Sequence, residues 1–247
     1  MTASPLPSGR LLAGLAGLGP FFALETHLPA APLRGQWQPL SQLLGSPAAL
    51  AARIGQVRDS LARGAGGPVS GVEFRVAASV AQLGLSARLI SPVLAAEVLG
   101  GDLHIDVAQA RWVPSLGGPF RLSVPGPALI RQGDADPGGA GRRALLDGPI
   151  SQLVGSVRQM AVSHQVLWGN VASAVNGAAT MMAAARPDLA RAASAVAAAM
   201  LRYPALATAA TGHPGPGFRR RNCCLIYRLA PSEPASYCGD CIMTGPS

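Results

Sequence analysis

The placement of the cysteines is the feature that most constrains how this chain can fold. All four cysteines of the 247-residue sequence lie in its last 25 positions, and the 222 residues before them contain none. They are Cys223, Cys224, Cys238 and Cys241. A chain of this length can bury a substantial hydrophobic core without cross-links. We therefore expect the four thiols to serve a separate function near the C-terminus.

The composition of the remaining chain favours helices. Hydrophobic residues make up 49% of the sequence and aromatic residues only 4%, so the core must consist mainly of Ala, Leu and Val. Helical patterns cover 41–63, as one or two helices, 72–99 and 186–204. Ser46 and Pro47 are residue types of an N-cap and a first helical position, and Pro187 starts the last helix, whose apolar stripe is Leu189, Ala193, Val196 and Met200. We expect the second of these helices to be interrupted near Gly84 and to restart around Pro92, because both residue types are unfavourable inside helices.

A further apolar stripe recurs in steps of four and three residues, which is one face of a continuous helix. It runs through Ile150, Val154, Val157, Ala161, His164, Trp168 and Val171. We therefore expect His164 and Trp168 to lie on a buried helix face. Together with the nearby Asn170 they form our candidate substrate pocket, although a Trp at this spacing is more often part of a core.

Two stretches, 102–114 and 119–125, contain alternating apolar and polar side chains, the pattern of β-strands. The short segment 115–118 joins them, so we predict a β-hairpin. The predicted fold class is α+β and mostly α-helical, a helical body with a small β-hairpin or sheet. We place the body at 1–215 and a short cysteine-bearing segment at 216–247.

The N-terminus carries an apolar run, residues 11–24, whose composition is similar to that of a signal peptide. The run contains glycines and a proline, and it is shorter than the roughly 20 residues of a membrane-spanning helix. We interpret it as a short first helix that ends at Gly19-Pro20. Residues 131–143 and 210–218 are rich in Gly and Pro, which predicts a loop and a linker.

Three chemistries suit four thiols at this spacing. Disulfide frameworks are typical of small secreted domains, and a bridge between the adjacent Cys223 and Cys224 departs from normal disulfide geometry. Zinc suits the two-residue spacing of Cys238 and Cys241, but adjacent cysteines fit one tetrahedral ion poorly. A [2Fe–2S] cluster has two irons that each take two thiolates, so its ligand positions are spread over several ångströms. Spacing alone favours the cluster and leaves all three open.

The pattern Cys-Cys, a gap and Cys-Gly-Asp-Cys, preceded by Arg-Arg, resembles the C-terminal segment of ferric siderophore reductases of the FhuF type. RRNCCLIYRL (220–229) and YCGDC (237–241) carry the specific part of this resemblance. VLWGNVASA (166–174) and LGPFFALETH (18–27) extend it loosely over most of the chain. The gap between the cysteine pairs is longer than is usual in that family, and residues 230–236 resemble a small insertion.

The resemblance implies that the four cysteines bind one [2Fe–2S] cluster and that the protein is an oxidoreductase. The implied reaction transfers one electron to a ferric siderophore, of the hydroxamate type, so that Fe(II) is released. Fe(II) binds hard oxygen donors far more weakly than Fe(III) does. The implied location is cytoplasmic, where clusters are normally assembled. The apolar N-terminus and the net charge of +8 allow peripheral contact with the inner face of a membrane.

The sequence also limits the partners. No G-x-G-x-x-G motif follows a predicted strand, so we expect no NAD(P) or flavin site and a separate electron-donor protein, ferredoxin-like or flavin-containing. No basic helix is interleaved with aromatic residues, so we expect no nucleic-acid partner.

Four arginines lie near the cysteines in the sequence and are candidates for adjusting the charge around a cluster. They are Arg219, Arg220, Arg221 and Arg228.

Two other functions stay open from the sequence. In the first, the tail binds zinc and only holds the C-terminus in place, in a non-catalytic binding module. In the second, an iron–sulfur centre acts as a redox sensor, which needs an effector surface that the sequence does not indicate.

Overall fold

The structure, a computed structural model, describes residues 8–126, 139–229 and 237–243. Most of the predicted loop 131–143 and all of the predicted insertion 230–236 lie outside these residues. The described part is mostly helical with small β-sheets, which confirms the predicted α+β, mostly α-helical class.

The α-helices of the described part are α1 (Ser8–Gly17), α2 (Leu40–Gly45), α3 (Pro47–Gly64), α4 (Phe74–Val98), α5 (Ala140–Leu145), α6 (Ser151–Arg158), α7 (His164–Ala185), α8 (Ala190–Leu201) and α9 (Pro204–Ala207). Short 3₁₀- or π-helical turns lie at Val69–Gly71, Leu146–Ile150, Pro187–Leu189 and Ile226–Leu229. The strands are β1 (Glu25–His27), β2 (Gln38–Pro39), β3 (Arg111–Val113), β4 (Arg121–Pro125), β5 (Ala210–Thr211) and β6 (Arg219–Arg220).

The central element of the body is α4, which packs against α3, α7 and α8. The predicted interruption of this helix is wrong, because Gly84 and Pro92 both lie inside one continuous helix. Pro92 is buried, and the hydroxyl of the neighbouring Ser91 donates to the Ala87 carbonyl at 2.7 Å. Packing on several sides outweighs the intrinsic preference of two unfavourable residues.

The predicted cap of α3 and the short first helix are confirmed, although this helix ends at Gly17, before the predicted end at Gly19-Pro20. Ser46 is the N-cap of α3, and its side chain accepts a hydrogen bond from the Ala49 amide at 3.2 Å, with Pro47 in the first turn. The short first helix is α1. Beyond its end, Gly19 adopts a φ of 109°, a conformation that favours glycine and prevents the helix from continuing.

The predicted β-hairpin is confirmed, but its first strand is displaced along the chain. Strands β3 and β4 pair antiparallel, with Trp112 opposite Leu122. The alternating stretch around Leu103 and Ile105 is irregular, although both side chains are buried. Alternating apolar residues indicate that every second side chain is buried. An irregular segment that packs on the core can bury its side chains in the same way as a strand.

The hairpin belongs to a four-stranded sheet with the order β1-β4-β3-β2. Strand β1 pairs with β4 in parallel, and β2 pairs with β3 antiparallel. The two outer strands have three and two residues, too few for a periodic pattern in the sequence. They are held in place by tertiary contacts.

The Arg88 side chain joins this sheet and the N-terminal segment to α4. It is buried, and its Nε donates to the Phe120 carbonyl at 2.7 Å. Its two Nη atoms donate to the Phe21 and Ala23 carbonyls at 3.0 and 2.5 Å. Burial lowers the pKa of Arg88 to about 10, so the group stays protonated at neutral pH. One side chain thus satisfies carbonyls from two separate segments.

The predicted continuous helix through 150–171 is broken between α6 and α7. Ala161 takes a φ of 59°, and Ser163 is the N-cap of α7, with its side chain accepting a backbone amide. His164 therefore lies exposed at the start of a new helix, contrary to its predicted burial, whereas Trp168 is buried as expected. The cap residue before His164 was the local signal for the break.

The predicted helix over 186–204 is confirmed. It begins at Pro187 with a 3₁₀ turn and continues as α8, with Ala193 and Met200 of the predicted stripe buried. Pro204 starts the short helix α9.

The predicted linker 210–218 is wrong in part, because it contains β5 and leads directly into β6. These strands pair antiparallel, with Ala210 opposite Arg220. Gly212 has a φ of 79°, and a Cβ at this position would lie 2.2 Å from the Gly217 carbonyl oxygen, so the turn requires glycine. The proposed boundary between 215 and 216 falls inside this hairpin and stays a prediction.

Among the described residues, one helix, α4, is long and apolar enough to cross a membrane by length and composition. Its most apolar 18-residue window is 78% buried inside the protein. A central core helix has the same composition, and the packing around α4 accounts for it.

We expect Arg88→Met to lower the free energy of unfolding by about 3–5 kcal/mol, because it leaves one buried and two part-buried carbonyls without their donor. Urea unfolding followed by far-ultraviolet circular dichroism measures this loss. The matched control Arg191→Met removes an exposed arginine and should change stability by less than about 0.5 kcal/mol. Equal effects of the two substitutions would contradict the role given to Arg88.

Candidate functional site

The structure brings the two cysteine pairs together at one site. Cys224 and Cys241 are buried, whereas Cys223 and Cys238 are half-buried, and all four are free thiols. A side-chain interaction between Cys224 and Cys238 lowers the pKa of Cys224 and raises the pKa of Cys238. Cys241 interacts electrostatically with both half-buried thiols. The four sulfur atoms therefore form one electrostatically connected group, the cysteine site.

Backbone amides point at two of these sulfur atoms. The Leu225 amide donates to the Cys223 sulfur and the Met243 amide donates to the Cys241 sulfur, each at 3.3 Å. Burial raises the pKa of Cys223, and the Leu225 amide partly offsets this effect. Amide donors of this kind stabilise thiolates and are one of the factors that set the potential of a sulfur-ligated metal centre.

The first cysteine pair is held in an unusual backbone conformation. Leu225 has a φ of 71°, which costs a non-glycine residue about 1–2 kcal/mol. The Ser79 hydroxyl on α4 donates to the Cys224 carbonyl at 2.8 Å and so fixes this turn. The Asn170 side chain on α7 donates to both the hydroxyl and the carbonyl of Ser79 at 3.0 Å. The two core helices thus position the Cys-Cys turn together.

The second pair is held by α7 and by β6. The Arg220 amide donates to the Asp240 carbonyl at 3.0 Å. The Asn176 side chain donates to the Asp240 carboxylate at 3.0 Å and accepts from the Gly215 amide at 2.8 Å. Burial raises the pKa of Asp240, and Asn176 partly offsets this shift. The Cys-Gly-Asp-Cys turn is therefore tied to the body through its central Asp.

The Arg220 side chain lies buried beside the thiols, with only 1% of its surface exposed. Its Nε donates to the Asn222 carbonyl at 3.0 Å and its Nη2 to the Val166 carbonyl at 3.2 Å. Its Nη1 is buried and has no hydrogen-bond partner among the described residues. Burial lowers the pKa of Arg220, and Cys224 and Cys238 act in the opposite direction. A buried cation with an unused N–H group suits an anionic group at the cysteines.

Gly169 on α7 makes room for this guanidinium. A Cβ at this position would lie 2.8 Å from Nη2 of Arg220. The hydrogen bonds of Arg220 fix its side chain, so a larger residue at 169 forces it away from the cysteines.

The four candidate arginines have different environments. Arg220 points inward to the cysteines, whereas Arg219 is half-buried and Arg221 is exposed, the alternation expected along a strand. Arg228 forms an ion pair with Glu73 at 2.6 Å, which joins the tail to the start of α4. Of the four, Arg220 is buried and its charge interacts with those of Cys223, Cys224 and Cys238.

The three residues of the candidate substrate pocket do not lie together. The Trp168 Nε1 donates to the His164 Nε2 at 2.9 Å, and the Trp168 ring packs against Tyr203 at 5.8 Å between centroids. Asn170 is fully buried on a different side of α7, toward α4 and Ser79. Because successive helical residues turn by 100°, positions 168 and 170 face different directions. A role of these three residues in substrate binding stays a prediction.

Sequence reasoning missed several residues that support the site. Ser79 lies far from the tail in the sequence, and its surroundings in the sequence are the same as those of any small residue in a core helix. Asp240 and Gly169 lie inside YCGDC and VLWGNVASA, two segments that carry the family resemblance, so their neighbourhood was the available signal. No signal in the sequence indicated a role for Asn176, because its partner Asp240 is 64 positions away.

Across the described residues, no group of three or more His, Cys, Asp and Glu side chains is arranged to hold a metal ion. The comparisons with known proteins find no matching family model, no similar curated protein and no similar solved structure.

We expect Gly169→Ala to destabilise the protein by about 1–3 kcal/mol, because the added methyl group displaces a hydrogen-bonded guanidinium. The matched control is Gly177→Ala in the same helix, where a Cβ meets no atom within 4 Å. That control should stabilise the protein by about 0.5–1 kcal/mol through helix propensity. Urea unfolding measures both, and a stabilising Gly169→Ala would show that Arg220 is not held where we place it.

Proposed function

We propose that the protein is a ferric siderophore reductase whose four cysteines bind one [2Fe–2S] cluster. The single observation that supports this most is the buried guanidinium of Arg220 beside four free thiols, with its Nη1 amino group unused. The resemblance of RRNCCLIYRL and YCGDC to the C-terminal segment of FhuF-type reductases supports the same proposal.

The residues present fit this group in charge, although the four side chains are not arranged around a metal position in the described residues. Four thiolates bring negative charge into a half-buried site, and Arg220 supplies a buried cation at the same place. The amides of Leu225 and Met243 already point at sulfur. A two-iron cluster spreads its ligands over several ångströms, so it needs a wider arrangement of thiolates than one tetrahedral ion does.

When bound, a four-thiolate [2Fe–2S] group supplies one electron at low potential, around −400 mV for plant-type centres. The protein's own part is electrostatic. Arg220 stabilises added negative charge and so raises the potential, and the amides at sulfur act in the same direction. Because Cys223 and Cys238 are half-exposed, this edge of the site can approach a large ferric chelate at the protein surface, with no deep pocket needed.

The remaining parts of the proposal follow from the chemistry. Reduction of the chelated Fe(III) weakens its binding to hard oxygen donors, so the substrate is a ferric siderophore, hydroxamate-type by resemblance. A separate ferredoxin-like or flavin protein supplies the electron, because the sequence carries no dinucleotide motif. We place the reaction in the cytoplasm, where clusters are assembled and imported siderophores arrive.

The first test is an absorption and electron paramagnetic resonance spectrum of anaerobically purified protein, before and after dithionite. Visible bands that bleach and a rhombic signal from the reduced protein are the expected result. A colourless protein with stoichiometric zinc would overturn the reductase proposal and support the structural tail instead.

We expect Cys224→Ser and Cys238→Ser to abolish bound iron and acid-labile sulfide while the helical circular dichroism signal is retained, because the core lies outside the tail. The matched control Ile242→Ser changes an exposed residue next to Cys241 and should keep its iron. Iron retained in both cysteine variants would contradict these ligands. Loss of the helical signal would assign the tail a structural role.

We expect Arg220→Met to lower the midpoint potential of the loaded protein by about 50–150 mV, since a buried positive charge near the thiolates is removed. The outward-pointing neighbour provides the control, because Arg219→Met should shift the potential by less than about 20 mV in normal salt. A potentiometric titration followed by electron paramagnetic resonance gives both values. Equal shifts would show that Arg220 has no special electrostatic role.

A further inference from the structure

A cavity of about 230 Å³ lies between helices α3 and α4 and the tip of the hairpin formed by β3 and β4. Its walls are mainly apolar, with Leu61 from α3, Leu85 from α4 and Phe120 from the hairpin. Two exposed glycines, Gly84 in α4 and Gly117 in the hairpin turn, also line it and carry no side chain that could cover its mouth. The volume is below the roughly 300–1,000 Å³ of pockets for drug-sized ligands, so the cavity suits a small molecule.

One buried cation, Arg53 of α3, lines this apolar cavity. The residue is only 8% exposed. Its Nη2 donates to the Ser115 carbonyl at 2.6 Å, and its Nη1 reaches the neutral side chain of Gln56 at 3.5 Å. Within the described part of the chain, no Asp or Glu pairs with it, and burial lowers the pKa of Arg53. Burial of such a cation is unfavourable unless an anion compensates its charge.

A comparison with Arg88 shows what is unusual about Arg53. Arg88 is also buried, but each of its three nitrogens donates to a backbone carbonyl, and it does not line the cavity. The Nε of Arg53 donates to no group among the described residues. The guanidinium of Arg53 therefore keeps hydrogen-bonding capacity that a ligand can use.

Two further polar atoms near this guanidinium are unpaired. The Trp112 Nε1 and the Ser115 hydroxyl are buried and have no hydrogen-bond partner in the described part of the protein. The Trp112 ring lies 5.7 Å from the guanidinium carbon of Arg53, and the Ser115 carbonyl is hydrogen-bonded to it. Buried polar atoms are nearly always paired. The chain itself thus leaves several donors unused in the neighbourhood of Arg53.

We propose that this cavity binds a small monocarboxylate, with its apolar body against the walls and its carboxylate paired with Arg53. The planar guanidinium matches a carboxylate through two parallel hydrogen bonds. One cation within apolar walls suits a single negative charge, whereas a phosphate or a polyanionic chelate brings more charge than one arginine compensates. None of the four cysteines lines the cavity, so the proposal is independent of the proposed function and of any bound metal.

The test is isothermal titration calorimetry of the full-length protein with octanoate and with phenylacetate, an aliphatic and an aromatic probe. We expect at least one of them to bind once per chain with a Kd below about 1 mM. The corresponding amides have nearly the same shape and no charge, so they should bind at least tenfold more weakly. Inorganic phosphate serves as the comparison anion without an apolar body.

Two variants locate the binding. Arg53→Met removes the cation and should weaken binding at least tenfold. Gly84→Leu keeps Arg53 and places a side chain at the mouth of the cavity, so it should also abolish binding, and it decides the matter if Arg53→Met does not fold. The controls are Gly155→Leu, at an exposed helical glycine whose Cβ would meet no atom within 4 Å, and Arg191→Met, at an exposed arginine. Both controls should keep the Kd within twofold of the wild type.

Three results would overturn the proposal. The first is the absence of saturable binding of either carboxylate at millimolar concentrations. The second is equal affinity for acid and amide, or unchanged binding in Gly84→Leu, which would leave Arg53 as a structural support of the Ser115 carbonyl. The third is tighter binding of phosphate than of either carboxylate, which would replace the class of ligand.

Discussion

The burial of the Arg220 guanidinium is the interaction on which the C-terminal segment depends. Removing such an ion from water costs several kcal/mol unless hydrogen bonds and opposite charge replace its hydration. Two backbone carbonyls accept hydrogen bonds from its Nε and Nη2, and its Nη1 has no partner among the described residues. The thiols beside it are the natural source of compensating charge. Strand β6, the Cys-Cys turn and the Cys-Gly-Asp-Cys turn all meet around this one cation, which explains why they are ordered together.

The helical body supports this arrangement with a small number of buried polar contacts. Ser79 on α4 fixes the carbonyl of Cys224, and Asn176 on α7 fixes the side chain of Asp240. Hydrogen bonds of this kind are strong because they are shielded from water, and expensive to leave unmade. Since α4 and α7 pack directly on each other, their relative position sets the position of one cysteine pair relative to the other. The core is therefore the frame of the cysteine site, although it contributes no sulfur atom.

Local patterns predicted the elements that depend on neighbouring residues. The Ser46-Pro47 cap, the start of a helix at Pro187 and the β-hairpin each rest on signals within a few positions, and the structure confirms them. The predictions that were wrong concern elements whose fate depends on distant contacts. Helix α4 continues through Gly84 and Pro92 because it packs against other elements on several sides. Part of the predicted linker forms strand β5 because it pairs with β6. Propensity is a weak preference, and burial overrides it.

By itself, the sequence determined the mostly helical class, the separation of a cysteine-free body from a thiol-bearing tail and the identity of the four thiols, because composition and spacing are local properties. Only the tertiary structure decided which arginine faces the thiols, since Arg219, Arg220 and Arg221 are equivalent until a strand turns one of them inward. It also decided that Asn170 supports the Cys-Cys turn through Ser79 while His164 lies exposed. Such assignments depend on which helix face packs against which neighbouring element. Asn170 and Ser79 lie some 90 positions apart, and no local pattern in the sequence indicates their contact.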